Sequence, residues 1–413
     1  SSWTSQCSDY RRSEGCWLSD DPYCEWLGVG CDVNGSVVSL VLPNNMLLGN
    51  LPEFIANFTS LVTLDLAYNS FTGTISPTWG ALTHLRSLDL SNTLVSNFSG
   101  LAELPNLRNL SLAILLYPDV LDNVLANLKH LEALDLSFPG LGKHIPEAIQ
   151  NLTSLRQLRL VGSRINDLAG LRNMVNLEYL DMSRFDPHVR ILQHPETLSR
   201  LTKLQYLALS RTPVTSQILN SILPLRNLRN LHLAHTNLSA LPDNFFPSFP
   251  ALTLLDLRKA NVHGEIPANI IASPMLSELL LQDNNLRGSI PEGICQLQNL
   301  TILNLTNNGL VGSIPPCLGN ITSLTILALG INSLVGELPD SLGDLQNLSI
   351  LDLRLNHLQG NISVSLGQLK NLTELNLAGN ILTGQLPFEV GGLFQESLVV
   401  LDASNNFLAG ELE

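Results

Sequence analysis

Several residue types that do chemistry occur in this 413-residue chain, and their spacing decides which chemistry they can support. Histidines at four nearby positions invite a metal site, because imidazole is a common zinc ligand: His188, His194, His232 and His235. Such a site needs three or four ligands that converge on one ion, and this spacing does not enforce convergence. The histidines are therefore interpreted as exposed or core residues, and we expect no metal and no cofactor.

A second candidate set is a row of aspartates that share one place in a repeated pattern. Its members are Asp65, Asp89, Asp135, Asp181, Asp256, Asp352 and Asp402. Paired carboxylates can act as general acid and base, but these recur with the repeat and are interpreted as surface or sheet-edge residues. No phosphate-binding glycine loop follows a strand, and no Gly-x-Ser-x-Gly motif occurs. We therefore expect that the protein is not an enzyme.

Cysteines form the third candidate set, with four near the start and two later: Cys7, Cys16, Cys24, Cys31, Cys295 and Cys317. Their even number and local spacing favour disulfides and an oxidising compartment. A zinc site among the first four is the alternative, but Cys-x-x-Cys pairs are missing. Cys295 and Cys317 are expected to bridge adjacent repeats on the side away from the strands, with two buried thiols as the alternative.

Twelve Asn-x-Ser/Thr sequons provide acceptors for N-glycosylation. They begin at Asn34, Asn57, Asn97, Asn109, Asn151, Asn237, Asn299, Asn304, Asn320, Asn347, Asn361 and Asn371. Some arise because the repeat favours Asn-Leu-Thr, so this number overstates glycosylation. Together with the paired cysteines, the sequons still indicate a protein of the secretory pathway. Asn109 and Asn304 are expected at outward strand positions, where a glycan would obstruct the sheet face.

Composition excludes several classes of function. Hydrophobic residues make up 45% of the chain and charged residues 14%, so disorder is not expected. The net charge of −14 argues against nucleic acid or an anionic membrane as partner. No run of about 18 to 20 apolar residues predicts a membrane span, and the first residues do not resemble a signal peptide.

One repeated pattern, Leu-x-x-Leu-x-Leu-x-x-Asn, supplies the elements that position these residues. Sixteen units, mostly 24 residues apart, begin at residues 37, 61, 85, 107, 131, 155, 177, 204, 228, 252, 276, 300, 324, 348, 372 and 398. The alternating Leu residues predict a short strand with Leu inward, and stacked strands predict a parallel sheet on a concave side. The Asn side chain is expected to pair with buried backbone groups where the chain leaves the sheet.

The second half of many units reads Leu-x-Gly-x-Ile-Pro, as at residues 286–291 and 310–315, and the segment Cys-Glu-Trp-Leu-Gly-Val-Gly-Cys at residues 24–31 precedes the first unit. Together these motifs resemble the plant-type leucine-rich repeat ectodomains of receptor kinases, receptor-like proteins and polygalacturonase inhibitors. The resemblance covers about residues 16–413. It implies an α/β solenoid, a leucine-rich repeat superhelix with a parallel concave β-sheet. It also implies an N-terminal cap closed by a Cys24–Cys31 disulfide, with Trp26 covering the first repeat.

We divide the chain into a cysteine-containing cap, residues 1–36, and sixteen repeats over residues 37–413. In an irregular centre, about residues 93–260, the repeat Asn is replaced and the Gly-x-Ile-Pro half is mostly lost. These repeats are expected to curve differently from their neighbours. The chain stops inside a repeat at Glu413 without a closing cysteine pair, which predicts a missing C-terminal cap and a longer parent protein.

The irregular centre is the basic part of an acidic chain, because residues 131–260 hold 14 of the 22 Lys and Arg but 10 of the 36 Asp and Glu. The candidate ligand-binding residues, assigned to outward strand positions, are Arg159, Tyr179, Arg184, Tyr206, Arg211, His232, His235, Arg258 and Lys259. Four of them recur at one place in successive units and predict a basic column: Arg184, Arg211, His235 and Lys259. At about 4.8 Å per strand, this column would be roughly 15 Å long.

Two interpretations of the basic residues remain open. An anionic ligand, such as a peptide carboxylate, a sulfated group or a uronic-acid polymer, would explain like charges without matching acids. Alternatively, they form a solvated face and pair with Asp181 or Asp256.

The family resemblance implies the extracellular ligand-recognition ectodomain of a cell-surface receptor, which binds a peptide, protein or anionic polysaccharide on its concave or lateral face, with a possible co-receptor. A secreted cell-wall or adhesion glycoprotein scaffold is the alternative, and an inhibitor of wall-degrading hydrolases ranks below it.

Overall fold

The computed structural model describes residues 21–113, 124–137, 143–184, 192–386 and 397–409. The chain forms two compact units, residues 1–204 and 205–413, and each is a stack of repeats. In the repeats that begin between residues 61 and 372 the three apolar positions of the pattern are buried, as at Leu276, Leu279 and Leu281, which are at most 2% exposed. Burial of one Leu stabilises the fold by about 1.5 to 3 kcal/mol, so the stacked Leu rows hold each unit together.

The strands of the first unit are β1 (Val29–Cys31), β2 (Val37–Val41), β3 (Leu48–Asn50), β4 (Thr63–Asp65), β5 (Ser70–Thr74), β6 (Ser87–Asp89), β7 (Leu94–Asn97), β8 (Asn109–Ser111), β9 (Ala133–Asp135), β10 (Gln157–Arg159) and β11 (Tyr179–Asp181). The main sheet begins with the antiparallel pair β1–β2 and continues in parallel through β4, β6, β8, β9, β10 and β11. A second parallel sheet consists of β3, β5 and β7.

The strands of the second unit are β12 (Tyr206–Ala208), β13 (Asn230–His232), β14 (Leu254–Asp256), β15 (His263–Glu265), β16 (Glu278–Leu280), β17 (Asn285–Arg287), β18 (Ile302–Asn304), β19 (Val311–Gly312), β20 (Ile326–Ala328), β21 (Ser333–Glu337), β22 (Ile350–Asp352), β23 (His357–Asn361), β24 (Glu374–Asn376), β25 (Ile381–Thr383) and β26 (Val400–Asp402). Its parallel main sheet runs through β12, β13, β14, β16, β18, β20, β22, β24 and β26. The pair β15–β17 and the series β19, β21, β23, β25 form second sheets.

The predicted fold class is confirmed, but the elements that return the chain to the sheet are mostly single turns of 3₁₀ helix. Within the described residues the α-helices are α1 (Glu147–Gln150), α2 (Ser216–Ile222) and α3 (Phe245–Ser248). The 3₁₀ helices are Tyr23–Glu25, Glu53–Asn57, Pro77–Ala81, Ser99–Glu103, Ala169–Leu171, Pro195–Arg200, Ala268–Ala272, Glu292–Gln296, Pro316–Asn320, Asp340–Asp344 and Val364–Gln368. Most of these turns have five residues, which suits the tighter 3₁₀ geometry better than an α-helix.

The second sheets follow the Leu-x-Gly half of the repeat and stop where that motif is lost. Between β7 and β15, the described residues contain no second-sheet strand. They contain isolated β-bridges from Asp167 to His144 and to Gln193. Glycine is needed in this motif because its backbone is left-handed, for example with φ 79° at Gly360. A Cβ there would also lie 2.9 Å from the Glu337 side chain of the preceding repeat.

The repeat Asn side chain bonds the backbone of two repeats, as the pattern predicts. Nδ2 of Asn332 donates to the carbonyl oxygens of Leu305 and Leu329, both at 3.0 Å, and Oδ1 accepts from the Leu310 amide at 3.1 Å. In the irregular centre the same position makes fewer bonds. Thr236 donates to the carbonyl of Leu233 alone, so the central repeats lack this link between neighbours.

Two disulfides lie within the described residues. Cys24 and Cys31 close the cap as predicted, and Cys295 and Cys317 join the 3₁₀ turns of adjacent repeats on the side away from the main sheet. Trp26 is half-buried and lines one cavity together with Leu40 and Ile55 of the first repeat. Cys7 and Cys16 lie outside the described residues.

Candidate functional site

The residue that precedes the Asn position of a repeat lies in a turn just after its strand ends. In three successive repeats of the second unit these residues are Arg211, His235 and Lys259, with φ of 58°, 56° and 51°. We call these three residues the basic column. Arg184, with φ 59°, occupies the equivalent turn after β11 in the first unit. Their assignment to the strands themselves was wrong, because each strand has three residues and ends before the turn.

Backbone hydrogen bonds set the spacing of the basic column. The amide of Arg211 donates to the carbonyl of Ala234 at 2.8 Å, just before His235, and the amide of His235 donates to the carbonyl of Arg258 at 2.7 Å, just before Lys259. The turns therefore stack in register, about 4.8 Å apart, like the strands that lead into them. Three side chains thus project from consecutive steps of one edge of the sheet.

The turn does not itself require basic residues. Elsewhere the same place holds Gly162 or Gly379, or an asparagine such as Asn307, all of which suit a left-handed backbone. A longer side chain costs about 1 kcal/mol there, and such residues often mark ligand sites. Ile331 and Leu355 share the conformation, so the charge of the column, rather than strain alone, distinguishes it.

Ion pairs divide the candidate basic residues into two groups. Arg159 lies between Asp135 and Asp181 on the flanking strands, at 3.7 and 4.0 Å, and Arg258 binds Asp256 through Nε and a terminal nitrogen at 2.9 and 2.8 Å. For these two arginines, the alternative interpretation of paired surface charges is correct. Within the described residues, Arg211 and Lys259 make no ion pair shorter than 4 Å.

His235, in the middle of the column, is surrounded by positive charge. Partial burial, together with the charges of Arg211, Lys259 and Arg258, lowers its pKa, and the opposing effect of Asp256 is smaller. The imidazole is therefore neutral at neutral pH, and the column carries its fixed charge on Arg211 and Lys259.

Aromatic candidates lie on the outward face of the main sheets. Tyr206 on β12 and His232 on β13 are half-buried, with ring centroids 5.1 Å apart and planes inclined by 41°. Tyr179 is half-buried on β11 in the first unit, opposite Gln157. In the second unit the candidates therefore separate into the basic column, the Tyr206–His232 ring pair and Arg258 with its acidic partner. In the first unit they are Arg159 with its acidic partners, Tyr179 on its strand and Arg184 in its turn.

Comparisons with known proteins agree with the repeat architecture. A family model described as Leucine Rich Repeat matches residues 60–82, 275–297, 299–321 and 371–393. A crystal structure of a TDR receptor superposes with a TM-score of 0.72 at 27% identity, and covers 89% of this chain and 68% of that one. The chain therefore has the leucine-rich repeat fold.

Its resemblance to plant-type leucine-rich repeat ectodomains is also confirmed. Receptor-like protein 39 of Arabidopsis thaliana is 29% identical over 249 residues, which cover 53% of this chain and 25% of that protein. The ectodomain of the Arabidopsis thaliana receptor kinase GASSHO1/SCHENGEN3, solved in complex with CASPARIAN STRIP INTEGRITY FACTOR 2, has a TM-score of 0.62 at 26% identity, covering 96% of this chain and 60% of that one. The matched region is thus a quarter of the length of the receptor-like protein.

Sequons of this chain occur in different environments. Of the twelve asparagines, Asn304 is half-buried on β18, and the other eleven are exposed. Asn299, Asn347 and Asn371 donate from Nδ2 to a carbonyl of the preceding repeat, which gives this repeated Asn a structural role. Asn237 is two residues from His235, so a glycan there would stand beside the column. Glycosylation at each site stays a prediction.

The row of aspartates has a structural explanation that sequence reasoning missed. The carboxylate of Asp89 accepts the amide of Ser91 at 2.8 Å, and that of Asp135 accepts the amide of Ser137 at 2.8 Å. Such an Asx turn directs the chain out of the strand. In this chain the aspartates therefore recur because the turn recurs.

Asp256 is the aspartate of this row whose pKa is shifted most strongly by its surroundings. Its burial would raise its pKa, but the His232 imidazole at 3.7 Å and the hydrogen bonds and positive charge of Arg258 outweigh burial and hold the pKa well below its usual range. A depressed carboxyl pKa stabilises the fold above the unfolded-state pKa of about 4, and this contribution is lost as pH falls further.

Asp256→Asn is therefore expected to destabilise the protein by about 2 kcal/mol at neutral pH, since Arg258 loses a charged partner. It should also weaken the decline in stability between about pH 5 and 3. Urea unfolding at several pH values measures both effects, with Asp344→Asn, at an exposed aspartate outside the row, as control. Parallel pH profiles for wild type and Asp256→Asn would contradict this assignment.

The histidines do not form a metal site within the described residues, where no group of three or more His, Cys, Asp or Glu side chains is arranged to bind an ion. His194 and His144 instead contact the two carboxylate oxygens of Asp167, at 2.8 and 3.1 Å. His188 lies outside the described residues. The same part of the chain contains no helix long and apolar enough to cross a bilayer.

Proposed function

We propose that this chain is the extracellular ligand-recognition ectodomain of a cell-surface leucine-rich repeat receptor, and that the basic column binds an anionic group of its ligand. The proposal includes no catalytic activity. It keeps a co-receptor as a possible further partner.

The observation that carries this proposal is that no acidic side chain of the described residues lies within 4 Å of Arg211 or Lys259, on a chain whose net charge is −14. Two fixed positive charges on either side of His235, stacked by backbone hydrogen bonds, repel each other and gain no compensation within the described residues. An anionic ligand would relieve that repulsion and gain charge-assisted hydrogen bonds.

Similar proteins support a receptor role. Receptor-like protein 39 carries that role in its name, and the GASSHO1/SCHENGEN3 ectodomain was solved bound to CASPARIAN STRIP INTEGRITY FACTOR 2. The Leu-x-Gly half-repeats and the disulfide-closed cap are features that this chain shares with the plant-type ectodomains. These likenesses favour recognition of an extracellular ligand over a purely structural scaffold.

Dextran sulfate is a suitable probe of the column, because its sulfate esters remain ionised and uncharged dextran provides the matched control. The double variant Arg211→Glu/Lys259→Glu is expected to lower affinity at least tenfold, since attraction becomes repulsion. Isothermal titration calorimetry measures the affinity of each protein for dextran sulfate. The proteins are enzymatically deglycosylated first, which removes any contribution from a glycan at Asn237. Thermal unfolding verifies that the variant is folded.

Arg226→Glu/Lys370→Glu is the matched control, because it makes the same charge change at exposed positions of the second unit outside the column. It should retain most of the affinity. Equal loss in both double variants would mean that dextran sulfate responds to overall charge. Failure of the wild-type protein to bind the probe would remove the anionic-ligand proposal and favour a scaffold.

A further inference from the structure

His235 is the central member of the basic column, and its surroundings come from three repeats. Arg211 lies on the preceding repeat, and Lys259, Arg258 and Asp256 lie on the following one. Asp256 directs its carboxylate to Arg258, at 2.8 Å, and lies 3.7 Å from His232, so its charge is already used. His235 is exposed and lies at the step between Arg211 and Lys259, neither of which forms an ion pair with the described residues.

Histidine is the one member of the column whose charge can change near physiological pH. Its place in the turn does not depend on that property, because a left-handed backbone is equally well served by asparagine, as at Asn92 and Asn307. A titratable group between two fixed charges couples its own protonation to any anion that those charges bind.

We propose that the basic column binds its anionic ligand together with a proton on His235, so that affinity rises as the medium becomes more acidic. This inference rests on the proposed function, since it concerns the same site. It adds that the binding-competent column carries three positive charges, one of which is acquired on binding.

Linkage gives the sign of the effect. In the free protein, burial and neighbouring cations lower the pKa of His235, so the neutral form dominates at neutral pH. A bound anion lowers the cost of the charged form and raises that pKa toward or above its usual value of about 6.5. Proton uptake therefore accompanies binding between the two pKa values. For each unit by which the pKa of the bound state exceeds that of the free state, acidification through both values strengthens binding about tenfold.

The experiment measures dextran sulfate binding by calorimetry at about pH 7.5 and 5.5, where the probe keeps a constant charge. Titration at each pH in two buffers of different ionisation enthalpy also counts the protons taken up. For the wild-type protein we expect affinity to increase at least threefold at the lower pH, with net proton uptake. His235→Asn keeps a residue that suits the turn. It should reduce the ratio of the affinity at about pH 5.5 to the affinity at about pH 7.5 to less than half the wild-type ratio.

His263→Asn, at an exposed histidine on β15 outside the column, is the control and should keep the wild-type ratio. A ratio in His235→Asn above half the wild-type value would overturn the proton-coupling inference. Equal wild-type affinity at both pH values would also overturn it. If that affinity were still lost in Arg211→Glu/Lys259→Glu, the proposed function would stand without the proton coupling. Lack of wild-type binding at both pH values would remove both proposals.

Discussion

Replacement of Asn332 by alanine is expected to lower the free energy of unfolding by about 3 kcal/mol, one of the two largest effects predicted for this protein. The side chain is 7% exposed and links two repeats through four hydrogen bonds. Alanine leaves the buried amide of Leu310 without this acceptor, and an orphaned buried group costs about 1 to 3 kcal/mol. Each lost bond to a carbonyl adds to that cost.

Thr236→Ala is the matched comparison, because Thr236 occupies the same place in its repeat but makes a single side-chain bond. It should cost about 1 kcal/mol. Urea unfolding of both variants measures the difference. Equal destabilisation would show that the bonds between repeats, which distinguish asparagine from threonine here, contribute little.

From Asn284 to Asn406, the repeat asparagines form a continuous series of hydrogen bonds between neighbouring repeats. The carbonyl of Leu305 accepts from Asn308 of its own repeat at 3.1 Å and from Asn332 of the next repeat at 3.0 Å, and Leu329 is bonded in the same way by Asn332 and Asn356. Loss of one asparagine side chain thus removes hydrogen bonds from two neighbouring repeats. Stability in stacked repeats depends on such nearest-neighbour contacts.

Gly343→Ala is expected to destabilise the protein by about 3 kcal/mol for a different reason. Gly343 is buried in the 3₁₀ turn Asp340–Asp344, and a Cβ there would overlap the backbone carbonyl oxygen of Ser365 in the next repeat. Because the obstacle is backbone, the two repeats must move apart, which costs more than displacing a flexible side chain. Thermal or urea unfolding measures the loss.

Gly264→Ala separates this steric effect from the conformational demand of glycine. Its φ is 94°, yet a Cβ would meet no atom within 4 Å, so the substitution strains the backbone without a clash. We expect a cost of about 1 to 2 kcal/mol. If Gly264→Ala destabilised the protein as much as Gly343→Ala, close approach of the 3₁₀ turns would not be the source of the larger effect.

Much of the fold could be predicted from the period of the sequence. Leucines at three positions of each unit determined where strands begin and which side chains are buried, and the recurring Asn predicted bonds to the backbone at the strand exit. The short length of the return elements was not predicted, because five residues that start with proline, as in Pro316–Asn320, satisfy both an α-helical and a 3₁₀ description.

The sequence identified which residues occupy equivalent places in successive repeats, but it did not give their surroundings. Arg211, His235 and Lys259 were aligned correctly, since one residue per repeat returns to the same place. Their left-handed turn was not foreseen, although Gly162 and Gly379 at the same position carried the signal. The pairing of Arg159 was likewise open, because its partners Asp135 and Asp181 lie 24 and 22 residues away in the chain.

The sequence alone therefore determined the repeat, the sheet and the rows of equivalent side chains, because each depends on periodic placement of apolar residues. The Cys24–Cys31 pairing was implied by the family resemblance and is shown by the tertiary structure. Only the tertiary structure decided which basic residues are neutralised and which are not. Arg258 folds back onto Asp256 through the Asx turn, whereas Lys259, the next residue, projects from the turn without an acidic partner within 4 Å in the described chain. Such differences depend on distances of a few ångströms between strands and turns, and a one-dimensional pattern does not contain them.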